Sequence, residues 1–145
     1  MKDDSFRRRG GPVEPPQECQ TTRSHRILVV DDETVMRLLM TSVLVGSGFH
    51  VDAAEDGAVA WDLLQAKPYD LVITDHNMPR ITGIELVKKL RSAQMTLPVV
   101  MVAGSLPTHE LAQNPSLQLA ATLLKPFALA ELVKTVTNVL QAARY

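Results

Sequence analysis

The chain has 145 residues, 46% hydrophobic and 21% charged, with a net charge of −1, the balance of an ordinary globular domain large enough to bury a core. That charge does not point to nucleic acid, and no apolar run approaches the roughly 20 residues that cross a bilayer. The lone Cys19 cannot close an intramolecular disulfide and Arg7, Arg8 and Arg9 are followed by no apolar stretch, so a reducing, cytoplasmic setting without a secretory signal is expected.

Residues 1–26 hold six basic and four acidic residues, net +2, whereas 27–145 hold nine and twelve, net −3. The first 25 residues are rich in Gly, Pro, Gln, Ser and Thr and too poor in apolar groups to offset their ordering entropy. They are read as a flexible tail, 1–25, ahead of a domain at 26–143. The Arg7–Arg9 cluster is read as solvated; contact with nucleic acid or an acidic partner is the weaker alternative.

From residue 26 short β-rich runs alternate with helical stretches. The first strand is 26–30. A helix over 33–46 carries Val35, Leu39 and Val43 on one stripe and Met36, Met40 and Leu44 beside it, and Gly46 and Gly48 stop it. A strand at 49–54 precedes a helix at 57–66 with Val59, Ala60, Leu63 and Leu64, ended before Pro68. The third strand is 70–74. A helix at 83–92 turns Ile84, Val87 and Leu90 inward and Glu85, Lys88, Lys89 and Arg91 outward. The fourth strand is 98–102. Pro107 and Pro115 leave room for only a short helix in 104–119. A last strand at 120–124 leads to a helix at 128–142 bearing Leu129, Leu132, Val133, Val136, Val139 and Leu140. Such alternation predicts a flavodoxin-like, doubly wound, five-stranded parallel sheet, order 2-1-3-4-5, with helices on both faces and right-handed crossovers.

In such a sheet the carboxyl ends of the strands share one crevice. Ile27-Leu28-Val29-Val30 runs into Asp31-Asp32, Leu71-Val72-Ile73-Thr74 into Asp75, and Ala121-Thr122-Leu123-Leu124 into Lys125-Pro126. Val99-Val100-Met101-Val102 runs into Ala103-Gly104, where a hydroxyl would have been useful. Two carboxylates about 4 Å apart repel by roughly 4 kcal/mol at an effective dielectric near 20. Three need a counter-charge, or some must bind protons. A hard divalent cation such as Mg²⁺ suits that donor set, and Lys125 adds a second positive charge. Such a site fits phosphoryl transfer, in which positioning and charge neutralisation do most of the work, with one carboxylate as nucleophile. The plainer alternative makes the aspartates separate N-caps. It suits Asp32 but leaves unexplained why Asp75 and Lys125 both end strands of the one sheet.

Ile-Leu-Val-Val-Asp-Asp-Glu (27–33), Asp-Leu-Val-Ile-Thr-Asp-His-Asn-Met-Pro (70–79), Thr-Gly-Ile-Glu-Leu (82–86), Leu-Pro-Val-Val-Met-Val (97–102) and Leu-Lys-Pro-Phe (124–127), in that order, resemble a receiver domain of a two-component response regulator over about residues 25–142. Each motif alone is weak; together, with family-like separations, they are specific. The resemblance implies that Asp75 is the phosphoacceptor and that Asp31 and Asp32, with Asp75 and the backbone carbonyl of Asn77, hold Mg²⁺ or Mn²⁺. It implies that Lys125 contacts the phosphoryl group, through a cis Lys125–Pro126 bond, and that Met78-Pro79 and Gly83 form the following loop and helix start. A sensor histidine kinase or histidine phosphotransfer protein is the implied donor. The signal would leave by contact with an unidentified downstream protein, no output domain following Tyr145.

Two positions depart from the family. Ala103 stands where Ser or Thr usually donates to the phosphoryl oxygen, leaving the backbone N–H groups of Ala103 and Gly104, with Ser105 as a substitute through a re-aimed loop. Thr122 stands where an aromatic often reports phosphorylation. These departures and the proline-broken 104–119 segment motivate a second function, a receiver-shaped interaction module independent of phosphorylation. A third, a small phosphatase with Asp31 as nucleophile, rests on a faint Asp31-x-Glu33-Thr34 echo and has the wrong second acid. Among other conspicuous residues, His76 is expected as a solvent-facing loop histidine, and His50 and His109 at the surface with no zinc partners. Trp61 is expected as partly buried packing, Met36, Met40 and Met101 as core, and Lys88-Lys89-Arg91 as a solvated face. Asn77 and Ser105 are the family's positions for tuning hydrolysis.

Overall fold

The apolar runs become strands because each is a four- or five-residue stretch rich in Val, Ile and Leu, suited to a sheet covered on both faces. The computed structural model describes residues 24–143; the Arg7–Arg9 cluster, Cys19 and nearly all of the expected 1–25 tail lie outside them. The strands are β1 (Arg26–Val30), β2 (His50–Ala54), β3 (Leu71–Asp75), β4 (Val99–Ala103) and β5 (Ala121–Leu124). They are joined by helices α1 (Thr34–Gly46), α2 (Gly57–Ala66), α3 (Gly83–Ser92), α4 (Thr108–Gln113) and α5 (Leu129–Ala143), with a 3₁₀ turn at Pro115–Leu117. All pairings are parallel, and the order is β2-β1-β3-β4-β5, as the alternation predicted. Strand and helix limits shift from expectation by at most one residue at either end, and α2 and α3 match it.

Alternation of side chains along the strands divides the interior into two cores. Leu28, Val30, Val72, Val99 and Met101 pack with Ala60 and Leu64 of α2 and Ile84, Val87 and Leu90 of α3. Ile27, Val29, Leu71, Ile73, Val100 and Val102 pack with Met40 and Leu44 of α1 and Leu132, Val136 and Leu140 of α5. Each fully buried aliphatic side chain contributes about 1.5–3 kcal/mol.

The structure decides the facing of α1 and corrects two expectations. In α1 the inward stripe is Met36, Met40, Val43 and Leu44, while Val35 and Leu39 are 63% and 44% exposed. Both stripes are apolar, so periodicity did not choose between them; the contact with α5 and the sheet did. Arg91 does not point outward. Its Nε donates to Leu117 O (2.9 Å) and its Nη1 to Met95 O (2.8 Å) and Leu97 O (3.0 Å), tying α3 to the 3₁₀ turn, and burial lowers its pKa. Asp32 caps nothing: Glu33 occupies the N-cap position of α1 without a side-chain bond.

Two contacts fix the segment after β3. Gly83 starts α3 so close to β3 that a Cβ there would lie 2.7 Å from Asp75 O and 2.8 Å from His76 Cα. Thr82 and Glu85 close a capping box, Glu85 N–H donating to Thr82 Oγ1 (3.2 Å) and Thr82 N–H to Glu85 Oε1 (2.8 Å). Gly83→Ala is therefore expected to destabilise the fold by about 1–3 kcal/mol, since backbone must move to admit the methyl group. Gly46→Ala, which meets nothing within 4 Å, is expected to be neutral or slightly stabilising. Urea denaturation of the two variants checks the difference.

Candidate functional site

β1 and β3 lie side by side in register, Val30 opposite Thr74, so the residues that follow, Asp31 and Asp75, emerge together. Asp31 is fully buried and Asp75 nearly so, while Asp32 is exposed at the rim. A carboxylate oxygen from each of Asp31, Asp32 and Asp75 lies within 4.8 Å of the others. Lys125 arrives from β5, where Ala103 pairs with Leu124 and Lys125 N–H donates to Ala103 O (2.9 Å). Its Nζ stands 3.4 Å from Asp75 Oδ2 and 3.8 Å from Asp31 Oδ2. The Lys125–Pro126 peptide is cis. The four residues singled out in the sequence thus meet at one place.

Burial raises the pKa of both Asp31 and Asp75. For Asp31 the Glu33 N–H, which donates to Oδ1 (2.9 Å), pulls the other way and the Asp75 charge adds to the rise. For Asp75 the ammonium of Lys125 opposes burial, helped by the backbone N–H of Asn77. Asp31 Oδ2 and Asp75 Oδ1 are buried and accept no hydrogen bond. Buried carboxylate oxygens left without a donor are costly unless a cation meets them. This donor set of hard oxygens fits Mg²⁺ or Mn²⁺ and would suit neither a thiolate-seeking nor an imidazole-seeking metal.

The neighbouring segments frame the cluster. Asn77 is exposed on the loop after β3, and Arg80 in that loop adopts φ 68° and pairs with Asp56 at 2.6 Å. Gly57 lets Ile81 of the same loop rest against the start of α2, where a Cβ would lie 2.8 Å from Ile81. Ala103 is fully buried and has no hydroxyl; Gly104 and Ser105 are exposed, as is Thr122 on the edge strand. His76 departs from expectation: it is half-buried, and its Nδ1 is buried without a partner. His50 and His109 are at the surface; Trp61 is partly buried and carries Lys89 Nζ 5.2 Å from its ring centre. Met40 and Met101 are core, with Met36 packed against it.

Arg37 was not singled out from the sequence. Its Nη1 donates to the backbone carbonyl of Asp31 (2.8 Å). The available signal was that it is the one charged residue in α1.

The doubly wound parallel sheet thus gathers three carboxylates and a lysine at the carboxyl ends of its strands. Residues 27–137 match the response regulator receiver domain, and the chain belongs to this family of two-component systems. It is 32% identical over 118 residues to the response regulator receiver protein CpdR of Brucella abortus, covering 81% of this chain and 98% of that protein. Among solved structures it resembles the chemotaxis protein CheY4 of Vibrio cholerae (TM-score 0.75, 30% identity, 80% of this chain and 98% of that one). It also resembles TrrA of Thermotoga maritima, solved in complex with Mg²⁺–BeF (TM-score 0.71, 30% identity, 79% and 98%). Among the described residues no helix is long and apolar enough to cross a membrane.

The electrostatics set a pH dependence. A carboxyl whose folded pKa is raised binds more protons in the folded state than in the unfolded one, so stability falls as pH climbs from the unfolded value near 4 through the folded value. The metal-free protein is expected to lose stability across that window, and Asp75→Asn to flatten the loss and raise the melting temperature at neutral pH. Denaturant midpoints against pH in chelator check both.

Proposed function

We propose that the chain is a cytoplasmic phosphoacceptor in which Asp75 takes a phosphoryl group from a phosphohistidine on a sensor kinase or phosphotransfer protein and signals by protein contact. The observation that carries this reading is the pairing of a buried, unpartnered Asp75 Oδ1 with Lys125 Nζ at 3.4 Å from Oδ2. One oxygen is left to react while the other is held. In the transfer an Asp75 carboxylate oxygen attacks phosphorus. The new O–P bond forms as the bond to the donor nitrogen breaks, the leaving imidazole keeps the electron pair, and Asp75 becomes an acyl phosphate. The Lys125 ammonium faces the charge spread over the phosphoryl oxygens. Asp31, Asp32, Asp75 and the carbonyl of Asn77 would hold a divalent cation that neutralises part of the same charge. Because Ala103 supplies no hydroxyl, the remaining donors on that wall are the backbone N–H groups of Ala103 and Gly104, with Ser105 beyond them.

A second reading, binding without phosphorylation, is favoured by Ala103, Thr122 and the proline-broken 104–119 segment. It expects a partner to bind Asp75→Asn as tightly as the wild type, whether or not phosphoryl donor is present.

With acetyl phosphate and Mg²⁺, the wild type is expected to give a shifted band on a phosphate-affinity gel and Asp75→Asn none. A shift that survives Asp75→Asn, or none in the wild type, would sink the phosphoacceptor role. Ala103→Thr restores one preorganised donor. A donor of this kind is worth up to about 3–4 kcal/mol of transition-state stabilisation, and less here because Lys125 remains. Phosphorylation by acetyl phosphate is expected to run about tenfold faster in the variant, measured by rate of band formation.

A further inference from the structure

Asp31 is gripped at every polar atom but one. Its N–H donates to Ala54 O (3.1 Å), its Oδ1 accepts Glu33 N–H (2.9 Å), and its carbonyl accepts Arg37 Nη1 (2.8 Å). Only Oδ2, facing Asp75 and Lys125, accepts no hydrogen bond.

Arg37 is an unusual donor for that place. It is the one charge in the thirteen residues of α1, stands in the first turn just after Asp31, Asp32 and Glu33, and is half-buried. Yet among the described residues it forms no ion pair with a carboxylate. A guanidinium beside acids ordinarily takes a carboxylate, often with two bonds. Here it takes a carbonyl and occupies no carboxylate oxygen.

The carbonyl of Asp31 belongs to the planar unit that links it to Asp32, so a bond to that oxygen fixes the orientation of the peptide from which Asp32 departs. We infer that Arg37 is a positioning residue for the acidic pair, holding the Asp31–Asp32 peptide so that both carboxylates face the cation site while no carboxylate oxygen is used up. The inference rests on the proposed cation site.

Charge alone makes the opposite prediction. A cation so close repels a bound divalent ion, so its removal would tighten binding, whereas loss of a group that orients metal ligands weakens binding about 10–100-fold. The sign of the change therefore separates the two roles.

Metal-free wild type, Arg37→Met and Arg37→Lys are titrated with Mn²⁺, the free ion read by electron paramagnetic resonance. Met keeps the unbranched stem and helix propensity, and circular-dichroism melts in chelator verify the fold. The expected result is a dissociation constant raised about tenfold in Arg37→Met and largely restored in Arg37→Lys, which keeps a donor and the charge. If Arg37→Met fails to fold, Arg37→Ala, which also lacks a donor, carries the same expectation. Equal or tighter binding by the folded variant overturns the positioning role and leaves the cation site standing, since the wild type binds. Absence of Mn²⁺ binding by the wild type overturns both.

Discussion

Two carboxylates buried against each other at the ends of adjacent strands, with a single ammonium between them, set the terms for the rest of this molecule. Asp31 and Asp75 have both lost water, and Lys125 stands 3.8 and 3.4 Å from them. The Lys125 ammonium alone cannot balance two buried negative charges and the exposed Asp32, so the arrangement favours a further cation. Burial raising both pKa values is the same fact expressed as proton affinity. The strain is tolerated because the sheet that delivers these residues is covered on both faces by well-packed helices.

The surrounding contacts share one logic: backbone is fixed so that side-chain oxygens need not be. Asp31 is held through its N–H, its carbonyl and one carboxylate oxygen. The loop after Asp75 is held by the close approach of Gly83, the capping box at Thr82 and the Arg80–Asp56 pair. The wall at Ala103 is the exception. It is as well buried as the others but carries no hydroxyl or other functional group.

Much of this was legible in the residues. The strand runs were short, apolar and bounded by turn-formers, so their number and parallel order followed from the alternation, and the acid and lysine endings could be placed together from topology alone. The family motifs carried the rest of the site. What was not legible depended on the directions of long or ambiguous side chains. Arg91 and Arg37 look like solvated helix charges in sequence, yet each spends its guanidinium on backbone carbonyls brought near by tertiary folding. The facing of α1 was undetermined because two adjacent stripes are both apolar. His76 was read as solvent-facing because nothing local indicates that its ring is half covered.

By itself the sequence determined the α/β class, the strand order and the residues that meet at the carboxyl edge, because hydrophobic period and crossover handedness act locally and are written in residue type. Only the tertiary structure decided which face of α1 is buried, where the guanidinium groups go, and that two oxygens of the acidic cluster are left without a donor. Those outcomes depend on distances between segments far apart in the chain, and no local pattern encodes them.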